Sequence, residues 1–247
     1  MDRLAVSILC LSTLIIPVSA GAFDVTWGSS WDNVPLQTIL DAEFGAGVID
    51  AATDYEGFKA GDADPAYWED ASIDGLVIRE IAGNRHWNTM GWYAEDLAGA
   101  PIIDGFDDGE VIEGALGEGE SSTIALPDGV TRFGFYMNPN GTGDAGVNAP
   151  EPEMFFTNRF YNDLGPDGSG AFHAPFDGDP QCLVYNVTHL YDGVQTFVLA
   201  WEDLDYGGQL GATTDNDYND MVVLVQAQSP VPTESMTWSS VKALYSR

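Results

Sequence analysis

Two short stretches hold the residues of this chain best suited to chemistry. One is Phe197-Val198-Leu199-Ala200-Trp201-Glu202-Asp203-Leu204, an apolar run that ends in two acids. The other is Asp215-Asn216-Asp217-Tyr218-Asn219-Asp220-Met221-Val222-Val223, an acid-rich segment that enters a second apolar run. A glycine-bearing loop joins them. The alternate oxygen-bearing residues Asp215, Asp217 and Asn219 converge if the segment turns tightly, and Glu202 and Asp203 can complete the shell from a neighbouring strand end. A hard cation such as calcium takes about six to eight oxygen ligands, which carboxylates and Asn carbonyls supply. The candidate metal ligands are therefore Glu202, Asp203, Asp215, Asp217, Asn219 and Asp220, with calcium as the expected ion. The pattern is not an EF-hand, because the mid-loop glycine and the closing glutamate are missing. A second reading stays open. Asx turns order such loops without any metal, and where acids are this common the D-x-D-x-N pattern also arises by chance.

Other reactive residue types are weaker candidates. Paired acids suggest a glycosidase, in which one carboxyl acts as acid and the other as base or nucleophile. Glu202 and Asp203 are adjacent, so on a strand they would point to opposite faces. Acids are also too abundant for a catalytic pair to be singled out, and no catalytic residue is assigned. There is no G-x-S-x-G, and Cys182 sits in an apolar run that suits a buried structural cysteine. His86, His173 and His189 lack zinc-type spacing. Asp104, Asp107, Asp108 and Glu110 could hold a second, weaker cation or form a solvated turn. Seven Trp residues could line a sugar-binding face, though in an all-β protein they read first as core.

The composition frames these choices. The 247 residues carry 39 Asp+Glu against 8 Lys+Arg, a formal net charge of −31. Nucleic acid and anionic membrane surfaces are excluded as partners, since both need clustered basic residues. Self-repulsion on this scale opposes compaction unless cations or salt offset it. Hydrophobic residues nonetheless make up 45%, more than a disordered acidic segment carries, so a packed core is expected.

Residues 1–20 read as a secretory signal: Arg3, an apolar run from Leu4 to Ile16, and the small-residue site Val18-Ser19-Ala20. The run is short for a transmembrane anchor, so no stable membrane span is expected after cleavage. Removal of the signal takes away Cys10 and leaves Cys182 alone, without a disulfide. Core packing, metal or both must then hold the domain.

The elements that would position the acids are mainly strands. Asn33 as cap, Pro35 in the first turn, and Leu36, Ile39 and Leu40 on one face predict a short N-terminal helix. Strands are predicted at 76–81, 87–93, 110–115, 121–126, 130–137, 154–161, 181–187, 195–202 and 218–226, with a bulge at Gly91. Residues 50–70 read as loop, and Asn138-Pro139-Asn140-Gly141 as a turn. Short, regularly spaced strands imply an all-β fold, a β-sandwich or jelly roll. The expected division is signal 1–20, N-terminal β region 21–129, C-terminal β region 130–227, and linker and tail 228–247. The tail reads either as a disordered terminus or as a sorting or docking tag.

The W-E-D-L and D-N-D-Y-N-D-M-V-V runs together resemble the bacterial domain-of-unknown-function 4114 family. Phe133-Gly134-Phe135-Tyr136 is similar to the family's strand before its variable loop. Asn162-Asp163-Leu164-Gly165-Pro166-Asp167-Gly168 with His173 is similar to its N-x-D-G…H segment. Glu80-Ile81-Ala82-Gly83-Asn84 and Asn88-Thr89-Met90-Gly91-Trp92-Tyr93 resemble a stretch that often precedes this domain. The likeness runs from about Leu36 to Val225 and is densest from Val130. It implies an exported β-sandwich of surface or matrix proteins, with calcium binding. Many relatives end in V-P-E-P and a membrane segment. Val231-Pro232-Thr233-Glu234 stands there in this sequence with no long apolar run behind it, so that sorting route is not expected.

The expectation is a secreted, calcium-binding β-sandwich with a structural or adhesive role, not an enzyme, whose partners are calcium and a surface glycan or matrix protein. The alternative is a carbohydrate-binding or carbohydrate-active protein.

Overall fold

In the computed structural model the described residues are 34–56, 68, 72–81, 88–94, 108–112, 116–130, 132–139, 154–158, 162, 180–203 and 216–227. The residues read from the sequence as signal, linker and tail lie outside them, as do His86, His173, Asp104 and Asp107. Among the described residues no helix is long and apolar enough to cross a membrane.

The described residues form one short α-helix, α1 (Leu36–Phe44), and nine strands. These are β1 (Ser72–Glu80), β2 (Thr89–Ala94), β3 (Asp108–Ile112), β4 (Ser121–Ala125), β5 (Phe133–Asn138), β6 (Phe155–Phe156), β7 (Cys182–Asn186), β8 (Gln195–Trp201) and β9 (Met221–Ala227). They make two antiparallel sheets, of order β4-β1-β9-β8-β7 and β3-β2-β5-β6. The architecture is an all-β sandwich. Both sheets draw strands from either side of residue 130.

Alternation along the strands builds the inter-sheet core. Ile73 and Val77 of β1, Leu199 and Trp201 of β8, and Met221, Val223 and Val225 of β9 face Met90 and Trp92 of β2 and Phe133, Phe135 and Met137 of β5. Cys182 lies in the same cluster as a free, buried thiol, and burial raises its pKa well above 9.0. The opposite face of the five-stranded sheet is covered as well. Leu36, Ile39 and Leu40 of α1 pack with Tyr185, Val198, Ala200, Val222 and Leu224. With both faces buried, the middle strands read as nearly continuous apolar runs in the sequence.

The outer face of the four-stranded sheet carries Tyr93, Tyr136 and Phe156. Gly91 pairs with Tyr136, and Tyr93 with Gly134. A Cβ on Gly91 would come within 2.3 Å of the Tyr136 ring, and one on Gly134 within 2.4 Å of the Tyr93 ring. Each glycine therefore makes the space in which the facing tyrosine lies flat across the strand. The β2–β3 register also shifts between Met90 and Gly91, which is the predicted bulge.

Several boundaries differ from expectation. Strand β1 begins at Ser72 rather than at residue 76, because Ile73 reaches the core and pairs with both Ile124 and Ala227. The last strand starts at Met221, not 218, since 216–220 serve as the turn into it. Pro35 is the residue flanking α1, with extended backbone and no side-chain cap. Asn33 lies outside the described residues.

Candidate metal centre

The strand register decides which acids meet. Trp201 of β8 pairs with Met221 of β9, so the next positions outward on these two neighbours are Glu202 and Asp220. The end of β1 joins them, where the Ile81 N–H donates to the Asp220 carbonyl at 3.0 Å. The start of β7 lies alongside, where the Glu202 N–H donates to the Gln181 carbonyl at 3.1 Å. One end of the five-stranded sheet thus gathers this corner.

Glu202, Asp203 and Asp220 each offer a carboxylate oxygen there, all within 4.8 Å of one another. They are buried, with 1%, 5% and 3% of their surface exposed. Glu202 and Asp203 were expected on opposite strand faces, but β8 ends at Trp201 and the alternation no longer applies beyond it. The Asp203 N–H donates to Asp220 Oδ2 at 2.8 Å, which fixes the Asp220 carboxyl against the opposite backbone. Burial holds the Asp220 carboxyl well above its usual 3.8, and the charges of Asp203 and Glu202 push the same way. A side-chain hydrogen bond with Glu202 adds to this rise, and the Asp203 N–H opposes it. Three carboxyls this close cannot all ionise cheaply in a dry corner. A proton or a cation relieves them, and the cluster could hold a metal ion.

The clustered acids do not include Asp217, which pairs instead with Asn219 in the turn that leads into Asp220. The Asn219 N–H donates to Asp217 Oδ1 at 3.3 Å, an Asx turn, and its Nδ2 donates to Asp217 Oδ2 at 3.0 Å. Asn219 Nδ2 also donates to the Val34 carbonyl at 2.8 Å, which ties the loop to the segment leading into α1. Asp217 is flanked by Asn216 and Tyr218, both at φ 55. A tyrosine in the left-handed region costs about 1–2 kcal/mol. Its side chain offsets that cost: Tyr218 is buried in the α1 cluster, and its hydroxyl donates to the Pro180 carbonyl at 2.6 Å. Asp215 lies outside the described residues.

Asn88 was not among the candidate metal ligands read from the sequence. It precedes β2, in the other sheet, and its Nδ2 donates to Asp203 Oδ2 at 3.2 Å. The two residues are 115 positions apart, a distance at which no local spacing signals contact.

No curated protein and no solved structure matches the chain. Residues 127–228 match the family described as "Domain of unknown function (DUF4114)". That segment runs from the turn before β5 through β9 and contains Glu202, Asp203, Asp217, Asn219 and Asp220, so the acidic corner of this sandwich lies within the stretch that is similar to this family.

Proposed function

We propose that the chain is an exported calcium-binding sandwich with a structural or adhesive role at the cell surface or in the matrix, and that it is not an enzyme. The observation that carries this reading is the convergence of Glu202, Asp203 and Asp220 in one buried corner. Carboxylate oxygens are the donors that calcium prefers, and the ion would offset the burial and the neighbouring charges of Asp203 and Glu202 that together raise the Asp220 pKa. Calcium is favoured over transition metals because the three clustered ligands are all hard oxygens. The deep burial of all three acids supports a structural ion over an acid–base pair, which must reach a substrate. Export rests on the signal-like residues 1–20, and the net charge of −31 suits a surface that is solvated in a cation-rich exterior. A glycan or matrix protein is the partner proposed for that role.

Cation binding to the folded form alone must raise its stability. Millimolar calcium should therefore raise the melting temperature above that in chelator, and Asp220→Ala should abolish the rise. Differential scanning fluorimetry reads both. Equal melting of the wild type in the two conditions would defeat the proposal.

A further inference from the structure

We infer that Asn88 is a further ligand of the same cation, so that the ion clasps the two sheets together; this rests on the calcium reading above. Asn88 has no exposed surface, and its amide already reaches the acidic corner through the bond from Nδ2 to Asp203 Oδ2 at 3.2 Å. Its other polar atom, Oδ1, is buried and accepts no hydrogen bond among the described residues. An amide oxygen left this way is costly to bury. Its presence beside three carboxylates is explained if a cation is the missing partner, because an Asn carbonyl is an ordinary calcium ligand.

The two ends of the amide serve two states. Without an ion, Nδ2 donates to Asp203 and tempers the negative charge. With an ion present, a half-turn about the last side-chain bond presents Oδ1 instead, and the carboxylate is neutralised by the metal. The placement matters as much as the chemistry. Glu202, Asp203 and Asp220 extend from β8 and β9, whereas Asn88 leads into β2 at the middle of the facing sheet. Asn88 also lies outside the matched segment 127–228, so the N-terminal half of the protein would complete a site that the C-terminal domain only begins.

The test is calorimetric titration of the full-length protein and its variants with calcium chloride, paired with melting in chelator. Asn88→Ala should weaken calcium binding by about 10-fold or more. Asn88→Asp keeps an oxygen ligand and adds charge. It should bind calcium at least as tightly as wild type, yet melt below wild type in chelator, where a fourth carboxylate joins the repelling group. If Asn88→Ala binds as wild type does, the inference is overturned. It is equally overturned if Asn88→Asp loses affinity as Asn88→Ala does, since Asn88 would then serve only to donate to Asp203. Should Asn88→Ala fail to fold, Asn88→Asp decides alone. A wild type that binds no calcium defeats the underlying reading instead, and the two failures are thereby separate.

Discussion

Asp220 is the residue on which opposing electrostatic demands meet. Its carbonyl closes the end of β1, its Oδ2 accepts from the Asp203 backbone, and its carboxyl shares a buried corner with two other acids. With its folded pKa raised, its contribution to stability is full below 3.8 and is lost as pH rises through the folded value. Asp220→Asn removes that titration while keeping an acceptor for Asp203. In chelator the variant should melt at or above wild type near pH 8, and the gap should close as pH falls toward 4. In calcium the order should reverse, because the variant lacks the charge that binds the ion. Thermal melts across this pH range check both orders, and a wild type more stable than the variant in chelator at pH 8 would contradict the account. The acids themselves were legible from sequence, since an apolar run ending in Glu202-Asp203 and another beginning after Asp220 are the two ends of paired strands. The rule that neighbours on a strand diverge misled at Glu202 and Asp203 because the strand stops one residue earlier. Asn88 was illegible as a site residue, because only the stacking of two sheets brings it to Asp203.

At the scale of elements, the central pair β2 and β5 depends on reciprocal glycine–tyrosine pairing. Gly91 faces Tyr136 and Gly134 faces Tyr93, and both rings are buried against Phe156 and so have little room to swing aside. Gly134→Ala should therefore cost about 1–3 kcal/mol through overpacking. Urea unfolding measures it, and a change within error would show that the Tyr93 ring yields. The strand cores were readable from apolar runs bounded by glycine, and the bulge at Gly91 was readable from an isolated glycine in a strand pattern. The edges were not. Strand β1 gains its first residues from pairing with β4 and β9, and no local pattern in Ser72-Ile73-Asp74-Gly75 announces those partners. Residues 218–220 read as strand because Tyr218 and Met221 suit one, whereas the left-handed backbone at Tyr218 belongs to a turn held by its ring and hydroxyl.

At the scale of the whole molecule, one core unites the sheets, and Cys182 reports on it. The thiol lies in the inter-sheet cluster and its pKa is raised by burial, so it is neither accessible nor ionised in the folded state. In a protein beginning at Gly21, where Cys182 is the sole thiol, labelling by a disulfide reagent should wait on opening of the sandwich. It should proceed faster in chelator than in calcium. Immediate labelling of the native protein would contradict this placement. The order β4-β1-β9-β8-β7 carries a further consequence for how the molecule comes into being. Strand β9 is the last strand among the described residues, yet it is the middle of its sheet and bonds β1 on one side and β8 on the other. Contacts of such long sequence separation form slowly. A nascent polypeptide emerging amino end first must hold β1 and β4 waiting, with one flank of β1 bare, until residue 227 is free to slot between the halves. Polypeptides cut short before Met221 would present two raw sheet edges, an invitation to aggregate.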